Sequence, residues 1–298
     1  MPNQGASYVE AVTESAPPWF RAALADHAQV GSTSVGGANI AWRAWGDETA
    51  SGVVLIHGGA AHARWWDHVA PLLVEARRRV VAIDLSGHGD SDHRGQYDIE
   101  AWSDEVAAVA DASGLGTDAT LIGHSLGGFV ALRTALRHPA RFGDVVVIDS
   151  PLREPSPEEL AARAGQAFGP LRIYPRREQA LARFRPMPDQ PVIRFIADHV
   201  AEHSLREVPG GWSWKFDPNV LGFAPPQGWP ALPAHNRVVL IRGERGILPR
   251  RISPAIREVL GGTAMMIEIP DADHHLMLDQ PLALVAALRA ILASPEPV

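Results

Sequence analysis

Residues 123–128 of the chain read Gly-His-Ser-Leu-Gly-Gly, which places Ser125 between two glycines. An apolar, β-branched run precedes this segment, and apolar residues at helical spacing follow it, so Ser125 stands where a strand turns directly into a helix. A nucleophile in such a turn has a strained backbone, and glycines beside it let strand and helix approach each other. This context favours a nucleophilic Ser125 over a serine that only caps a helix.

Two backbone N–H groups are candidates for binding the negative charge that develops when a serine attacks a carbonyl. The N–H of Leu126 lies at the start of the predicted helix, where negative charge is favoured. The sequence His57-Gly58-Gly59 ends an earlier predicted strand, and the loop after such a strand commonly supplies a second donor. We therefore predict an oxyanion hole formed by Gly59 and Leu126, with His57 as a turn histidine.

The elements that must position these residues alternate between buried strands and helices. This alternation predicts an α/β fold with a mostly parallel central sheet and helices on both faces. The predicted strands are 52–59, 79–92, 119–125, 144–150, 237–244 and 264–270, and the predicted helices include 64–78, 99–114, 126–139 and 281–292.

The alternation stops after Pro151, where the chain becomes rich in proline and arginine and shows only helical patches. We predict that residues 151–235 form a helical cap inserted into one α/β core, which comprises residues 35–150 and 236–298. Residues 1–34 are predicted to form an N-terminal arm.

Composition excludes several classes of function. The 298 residues contain no cysteine, which rules out thiolate catalysis, disulfides and Cys-ligated metals. The net charge of −7 argues against a nucleic-acid surface, and Lys215 is the only lysine able to form a Schiff base. Without a signal-like or membrane-spanning segment, we expect a soluble cytoplasmic protein. We expect a small-molecule substrate, no cofactor and no metal; the oligomeric state is left open.

Four segments of the chain resemble the α/β-hydrolase fold family, over roughly residues 35–295. They are His-Gly-Gly at 57–59, Asp-Leu-Ser-Gly-His-Gly-Asp-Ser-Asp at 84–92, the Ser125 motif, and Asp-Ala-Asp-His-His-Leu-Met-Leu-Asp-Gln-Pro at 271–281. The family's catalytic residues follow the chain order serine, acid, histidine. The resemblance therefore implies that His274 is the general base. The adjacent His275 is expected to pack or bond elsewhere.

The acid of the triad is the point at which the chain departs from the family pattern. The resemblance places an aspartate at position 246, where this sequence has Gly246. Asp149, at the end of the preceding predicted strand, is the replacement that we favour, since some family members, haloalkane dehalogenases among them, take their acid from that strand end. Glu244 remains the alternative, although it stands two residues too early.

The resemblance and the motif together predict a serine hydrolase of the carboxylesterase type, acting through an acyl-enzyme. Lactones, amides and C–C bonds flanked by carbonyls are alternatives on the same triad. A ligand-binding receptor built on a hydrolase scaffold is an alternative of another kind, motivated by the displaced acid. Trp65, Trp66 and Trp214 are predicted to bind an apolar or aromatic substrate, although they could equally pack the cap against the core.

Overall fold

An eight-stranded sheet forms the centre of the molecule in a computed structural model that describes residues 16–48, 51–74, 78–152, 171–222, 232, 236–260, 262 and 264–293. The strand order is β1-β2-β4-β3-β5-β6-β9-β10. Six neighbouring strands pair in parallel, in the order β4, β3, β5, β6, β9 and β10. In contrast, β2 runs antiparallel to both β1 and β4. The bounds are β1 Gln29–Val35, β2 Ala38–Trp45, β3 Ser51–Ile56, β4 Arg78–Ile83, β5 Ala119–His124, β6 Phe142–Ile148, β9 Val238–Gly243 and β10 Met265–Ile269.

Helices cover both faces of this sheet, as the sequence predicts. Alternate residues of β3 point to opposite faces: Val54 and Ile56 join the core under helices α3 and α4, and Val53 and Leu55 join the core under α1, α2 and α9. The helices are α1 Pro18–Ala25, α2 Ala70–Leu73, α3 Ile99–Ala112, α4 Leu126–Arg137, α5 Arg177–Leu181, α6 Arg194–His203, α7 Pro254–Val259, α8 Leu276–Asp279 and α9 Pro281–Ala293. Within the described ranges, no helix has the length and apolar character needed to cross a membrane.

The predicted N-terminal arm and the core divide at a different place in the structure. Residues 29–35 form β1, which pairs with residues 38–44 of β2 in the main sheet, so a boundary after residue 34 would cut a strand. The side chains of β1 alternate only between exposed and half-buried positions. A strand at the edge of a sheet carries little hydrophobic period, which explains why the sequence pattern does not reveal it.

The insertion between β6 and β9 is helical only in part. Its described residues form α5, α6 and a two-stranded hairpin, β7 Leu205–Val208 with β8 Gly211–Trp214. The insertion thus contains the predicted kind of helix and also this hairpin, whose short strands lack a recognisable alternation. The insertion is tied to the core by the Ile193 N–H, which donates to the Leu278 carbonyl at 2.8 Å, and by a 2.8 Å hydrogen bond between His62 and Ser204.

Candidate active site

Ser125 occupies the turn between β5 and α4 with a backbone that few residues tolerate. Its φ of 53° and ψ of −116° lie outside the regular regions, which costs on the order of 1–3 kcal/mol. A Cβ on Gly123 would lie 2.6 Å from the Gly128 nitrogen, and a Cβ on Gly127 would lie 2.6 Å from the His57 carbonyl oxygen. Both glycines are therefore required by close backbone packing, and the turn presents Ser125 at the carboxyl edge of the sheet.

His274 reaches this turn from the loop that follows β10. Its Nε2 lies 3.2 Å from Ser125 Oγ, and its Nδ1 lies 2.8 Å from Asp149 Oδ2. An ionised carboxylate only accepts hydrogen bonds, so this geometry places the imidazole proton on Nδ1. The Nε2 lone pair is then free to accept the proton of the Ser125 hydroxyl.

Asp149 is completely buried directly after β6, and its φ of 45° turns the side chain towards the neighbouring strand end. Besides His274, its carboxylate accepts hydrogen bonds from three backbone N–H groups of the turn after β9. These are Ile247 at 2.7 Å, Gly243 at 3.2 Å and Leu248 at 3.3 Å. The turn therefore fixes the orientation of both carboxylate oxygens before any substrate binds.

Gly246, where the family resemblance places an aspartate, borders the Asp149 carboxylate. A Cβ at position 246 would lie 2.5 Å from the Asp149 Cγ, well inside contact distance. Glu244 points elsewhere: it accepts a hydrogen bond from the Asp271 N–H at 3.0 Å and lies 3.8 Å from Arg250. The structure thus brings together Ser125, His274 and Asp149, and leaves Glu244 on a partly exposed surface.

The two candidate oxyanion donors flank Ser125. The loop after β3 passes directly beside the serine, since a Cβ on Gly58 would lie 3.2 Å from the Ser125 Cβ. Among the hydrogen bonds between described residues, neither the Gly59 nor the Leu126 N–H donates to a protein acceptor. Both donors are therefore available to a ligand oxygen.

His57 holds the loop that carries Gly59. The Leu85 N–H donates to His57 Nε2 at 3.1 Å, so the ring proton sits on Nδ1 and is donated to the Gly58 carbonyl at 2.7 Å. Burial lowers the pKa of His57 to about 4, which keeps the ring neutral at physiological pH. His57 contacts the loop rather than the triad.

A cavity of about 170 Å³ adjoins the triad through Gly59 and His275. Trp65 and Trp214, two of the predicted substrate-binding residues, line this cavity together with Phe184. Trp66, the third, lies elsewhere: its side chain is fully buried in the core beneath the sheet. Adjacent residues diverge, so one tryptophan of the pair faces the cavity and the other packs the core.

Two further buried histidines lie beside the triad: His275, which was expected to pack or bond elsewhere, and His124, which was not singled out from the sequence. The ligand nitrogens of His124, His274 and His275 lie within 4.8 Å of one another, a spacing that a metal ion could use. His274, however, directs its two nitrogens at Asp149 and Ser125, so an ion here would have to displace one of them. Burial lowers the pKa of His124, and lowers that of His275 to about 3. His124 is the variable residue that precedes the serine in its motif, and His275 lies in the segment 271–281 that carries the family resemblance.

Comparison with known proteins identifies the family of this chain. A sequence model described as "Alpha/beta hydrolase family" matches residues 53–288. Pimeloyl-[acyl-carrier protein] methyl ester esterase of Neisseria meningitidis serogroup C is 42% identical over 125 residues, which cover 40% of this chain and 46% of that protein. The match thus spans less than half the length of this relative. Esterase Rv0045c of Mycobacterium tuberculosis is 27% identical over 261 residues, covering 83% of this chain and 84% of that protein.

Solved structures show the same architecture. The thioesterase domain from the curacin biosynthetic pathway superposes with a TM-score of 0.70 at 21% identity, over 90% of this chain and 99% of that one. The hypothetical protein PA1622 from Pseudomonas aeruginosa superposes with a TM-score of 0.71 at 26% identity, over 89% of this chain and 100% of that one. These likenesses support the fold and leave the substrate open.

Proposed function

The chain belongs to the α/β-hydrolase family, and on this premise we propose that it is a serine hydrolase that cleaves carboxylic esters. The observation that carries the proposal is the hydrogen-bonded series of Ser125, His274 and Asp149, with distances of 3.2 and 2.8 Å. The named esterases among its relatives support an ester as the bond that is broken.

Acylation follows from this arrangement. His274 Nε2 takes the proton of the Ser125 hydroxyl while Oγ attacks the ester carbonyl. The charge of the imidazolium is stabilised by Asp149, and the N–H groups of Gly59 and Leu126 bind the oxyanion. When the tetrahedral intermediate collapses, His274 returns the proton to the departing alcohol, and the acyl group remains on Ser125.

Deacylation repeats the same steps with water. His274 takes a proton from a water molecule, whose oxygen attacks the acyl carbonyl. The second tetrahedral intermediate is held by the same two N–H groups. His274 then protonates Oγ, the carboxylic acid leaves, and Ser125 is regenerated.

The walls of the cavity favour a small substrate with an apolar or aromatic part. Trp65, Phe184 and Trp214 supply these walls, and such aromatic surfaces stabilise apolar groups. Lactones, amides and C–C bonds between carbonyls remain alternatives on the same triad. A receptor without catalysis is disfavoured by the aligned hydrogen bonds of Ser125 and His274. A cytoplasmic location and independence from a cofactor stay predictions from the sequence.

Hydrolysis of 4-nitrophenyl butyrate tests this proposal. Ser125→Ala should lower kcat by about 10³-fold or more, because the variant lacks the nucleophile. Ser34→Ala, an exposed serine on β1, is the matched control and should keep full activity. Treatment with a fluorophosphonate should add one covalent label to the wild type and none to Ser125→Ala. Equal rates for Ser125→Ala and the wild type would overturn the proposal.

A further inference from the structure

The cavity beside the triad combines aromatic walls with positive charge. Three of its described lining residues are cations, Arg183, Arg185 and Lys215, and we refer to them as the cationic rim. No described residue of the lining is an aspartate or a glutamate. The chain has 34 acidic and 27 basic residues, so a cavity wall whose described charged residues are all basic differs from the composition of the whole chain.

Two members of the cationic rim, Arg183 and Arg185, have no carboxylate partner among the described residues. Within the described part of the chain, no carboxylate lies within 4.0 Å of the Arg183 or the Arg185 guanidinium. Arg185 instead donates to the neighbouring Phe184 carbonyl at 2.6 Å. Two other arginines of the inserted segment have carboxylate partners: Arg177 contacts Glu202, and Arg194 lies 2.8 Å from Asp198. Both rim arginines thus retain donors for an external anion.

Lys215 differs from the two arginines. Its Nζ lies 2.5 Å from Asp90 Oδ1, and its side chain is largely buried. The Asp90 carboxylate offsets this charge, so the excess positive charge of the cationic rim comes from Arg183 and Arg185. The buried His62, which also lines the cavity, adds no charge, because burial holds its pKa well below the usual value.

We propose that the substrate is an ester that also carries a carboxylate or phosphate, which binds Arg183 and Arg185. The apolar part between this anion and the ester would then lie along Trp65, Phe184 and Trp214. A guanidinium is suited to this task, since its planar donors match the oxygens of a carboxylate or phosphate. This inference rests on the proposed ester hydrolysis and assigns the substrate class of the same site.

Paired substrates that differ only in charge provide the kinetic test. The charged member is the 4-nitrophenyl hemiester of adipate or suberate, and the neutral member is the corresponding terminal carboxamide. The wild type should prefer the hemiester in kcat/KM, and Arg183→Gln/Arg185→Gln should lower that kcat/KM about tenfold. The loss should reside in KM, because the arginines do not touch the reacting atoms. Hydrolysis of the carboxamide should fall by a much smaller factor, so the ratio of the two kcat/KM values is the quantity that decides.

Control variants separate charge from structure. Arg257→Gln removes an exposed arginine of α7 that is not part of this cavity, and it should leave the preference intact. Arg183→Lys/Arg185→Lys keeps the charge and should retain most of the preference. A wild type that cleaves the carboxamide as well as the hemiester, or a preference that survives the double glutamine variant, would overturn the inference.

Binding without turnover separates this inference from the proposed function. Adipate, hexylphosphonate and adipamide are titrated into Ser125→Ala, with calorimetry and tryptophan fluorescence as readouts. The two anions should bind about tenfold tighter than adipamide, and the double glutamine variant should abolish the difference. Comparison of adipate with hexylphosphonate tells whether carboxylate or phosphate is preferred. Equal binding of all three compounds refutes the inference, whether or not the wild type hydrolyses esters.

Discussion

Two neighbouring strand ends at the carboxyl edge of the sheet carry carboxylates with very different surroundings. Ile148, the last residue of β6, pairs with Ile241 of β9, so Asp149 and Glu244 follow the ends of adjacent strands, with Glu244 two residues farther along. Asp149 is fully buried, faces His274 and accepts three backbone hydrogen bonds, whereas Glu244 is partly exposed and bonds to the Asp271 N–H. Neighbouring positions in the sheet are therefore not equivalent positions in the site.

The difference teaches that an acid and the turn that holds it can belong to different strands. The end of β9 and the turn after it contribute backbone N–H groups from Gly243, Ile247 and Leu248, and the carboxylate that they hold follows β6. Gly246 makes this division possible, because any larger residue there would occupy the space of the Asp149 carboxylate. With the Asp149 carboxylate in this place, position 246 has no room for the aspartate of the family pattern.

Removing the charge of the carboxylate that follows β6 should have the largest effect on activity. Asp149→Asn should lower kcat for 4-nitrophenyl butyrate by about 10³- to 10⁴-fold, because an amide cannot hold His274 in the required tautomer. Circular dichroism and thermal unfolding of the variant show whether the fold persists. A loss smaller than tenfold in a folded variant would reject Asp149 as the acid.

Moving the acid from one strand end to the other should restore part of the activity. Asp149→Gly/Gly246→Asp places the carboxylate on the turn after β9, and glycine suits the positive φ of position 149. We expect kcat to recover about tenfold or more relative to Asp149→Gly alone, since the new carboxylate enters the vacated space beside His274. If the double variant is no more active than Asp149→Gly, the two ends are not interchangeable.

Filling the space at the β9 turn should disturb Asp149 without removing it. Gly246→Ala should lower kcat by about 10- to 100-fold, because the added methyl displaces the carboxylate from His274. It should also lower the free energy of unfolding by about 1–3 kcal/mol through overpacking. Gly95→Ala is the control, since its added Cβ would meet open space, and it should change neither quantity. Gly262→Ala would not serve, because position 262 has a positive φ. Unchanged kcat in Gly246→Ala would contradict the packing argument.

Acid should lower the free energy of unfolding, because the folded chain buries several histidines. Burial lowers the pKa of several histidines, so between about pH 6.5 and 4 the unfolded chain binds more protons than the folded chain. The free energy of unfolding should then fall as pH falls through this range, by an amount on the order of several kcal/mol. The pKa values are about 4 for His57, His68 and His203 and about 3 for His275.

Three acids oppose this trend. Burial raises the pKa of Asp84 and of the half-buried Asp279 to about 6, and it also raises the pKa of the buried Glu105, so these groups favour the folded state as pH falls from 6 towards 4. The histidines are more numerous and should dominate. Urea unfolding at pH 7, 5.5 and 4.5 measures the balance, and a stability that rises on acidification would show that the acids prevail.

Removing the charge on the β9 side should have the smallest effect. Glu244→Gln should leave kcat within about twofold and the free energy of unfolding within about 0.5 kcal/mol, because its contacts are exposed. Activity and thermal unfolding measured beside Asp149→Asn complete the comparison. A larger loss of kcat in Glu244→Gln than in Asp149→Asn would reverse the assignment of the acid.

Much of the architecture was predictable because its signals are local. The alternation of buried strands with helices predicted the parallel sheet, and the glycines around Ser125 predicted the turn that the structure shows. The hairpin β7–β8 and the edge strand β1 were missed, because short or half-exposed strands lack the period that burial imposes. Trp65 and Trp66 could not be told apart, since only the packed structure decides which of the two faces the cavity.

By itself, the sequence determined the family resemblance, the turn at Ser125 and the two candidates for the acid. These features depend on residue type, spacing and chain order, which the sequence states directly. Only the tertiary structure decided that Asp149 faces His274 and that Glu244 does not, since this contact joins residues 125 positions apart. The physical reason is that a carboxylate can orient His274 only from hydrogen-bonding distance, and the packing of the sheet edge decides which of the two carboxylates lies there.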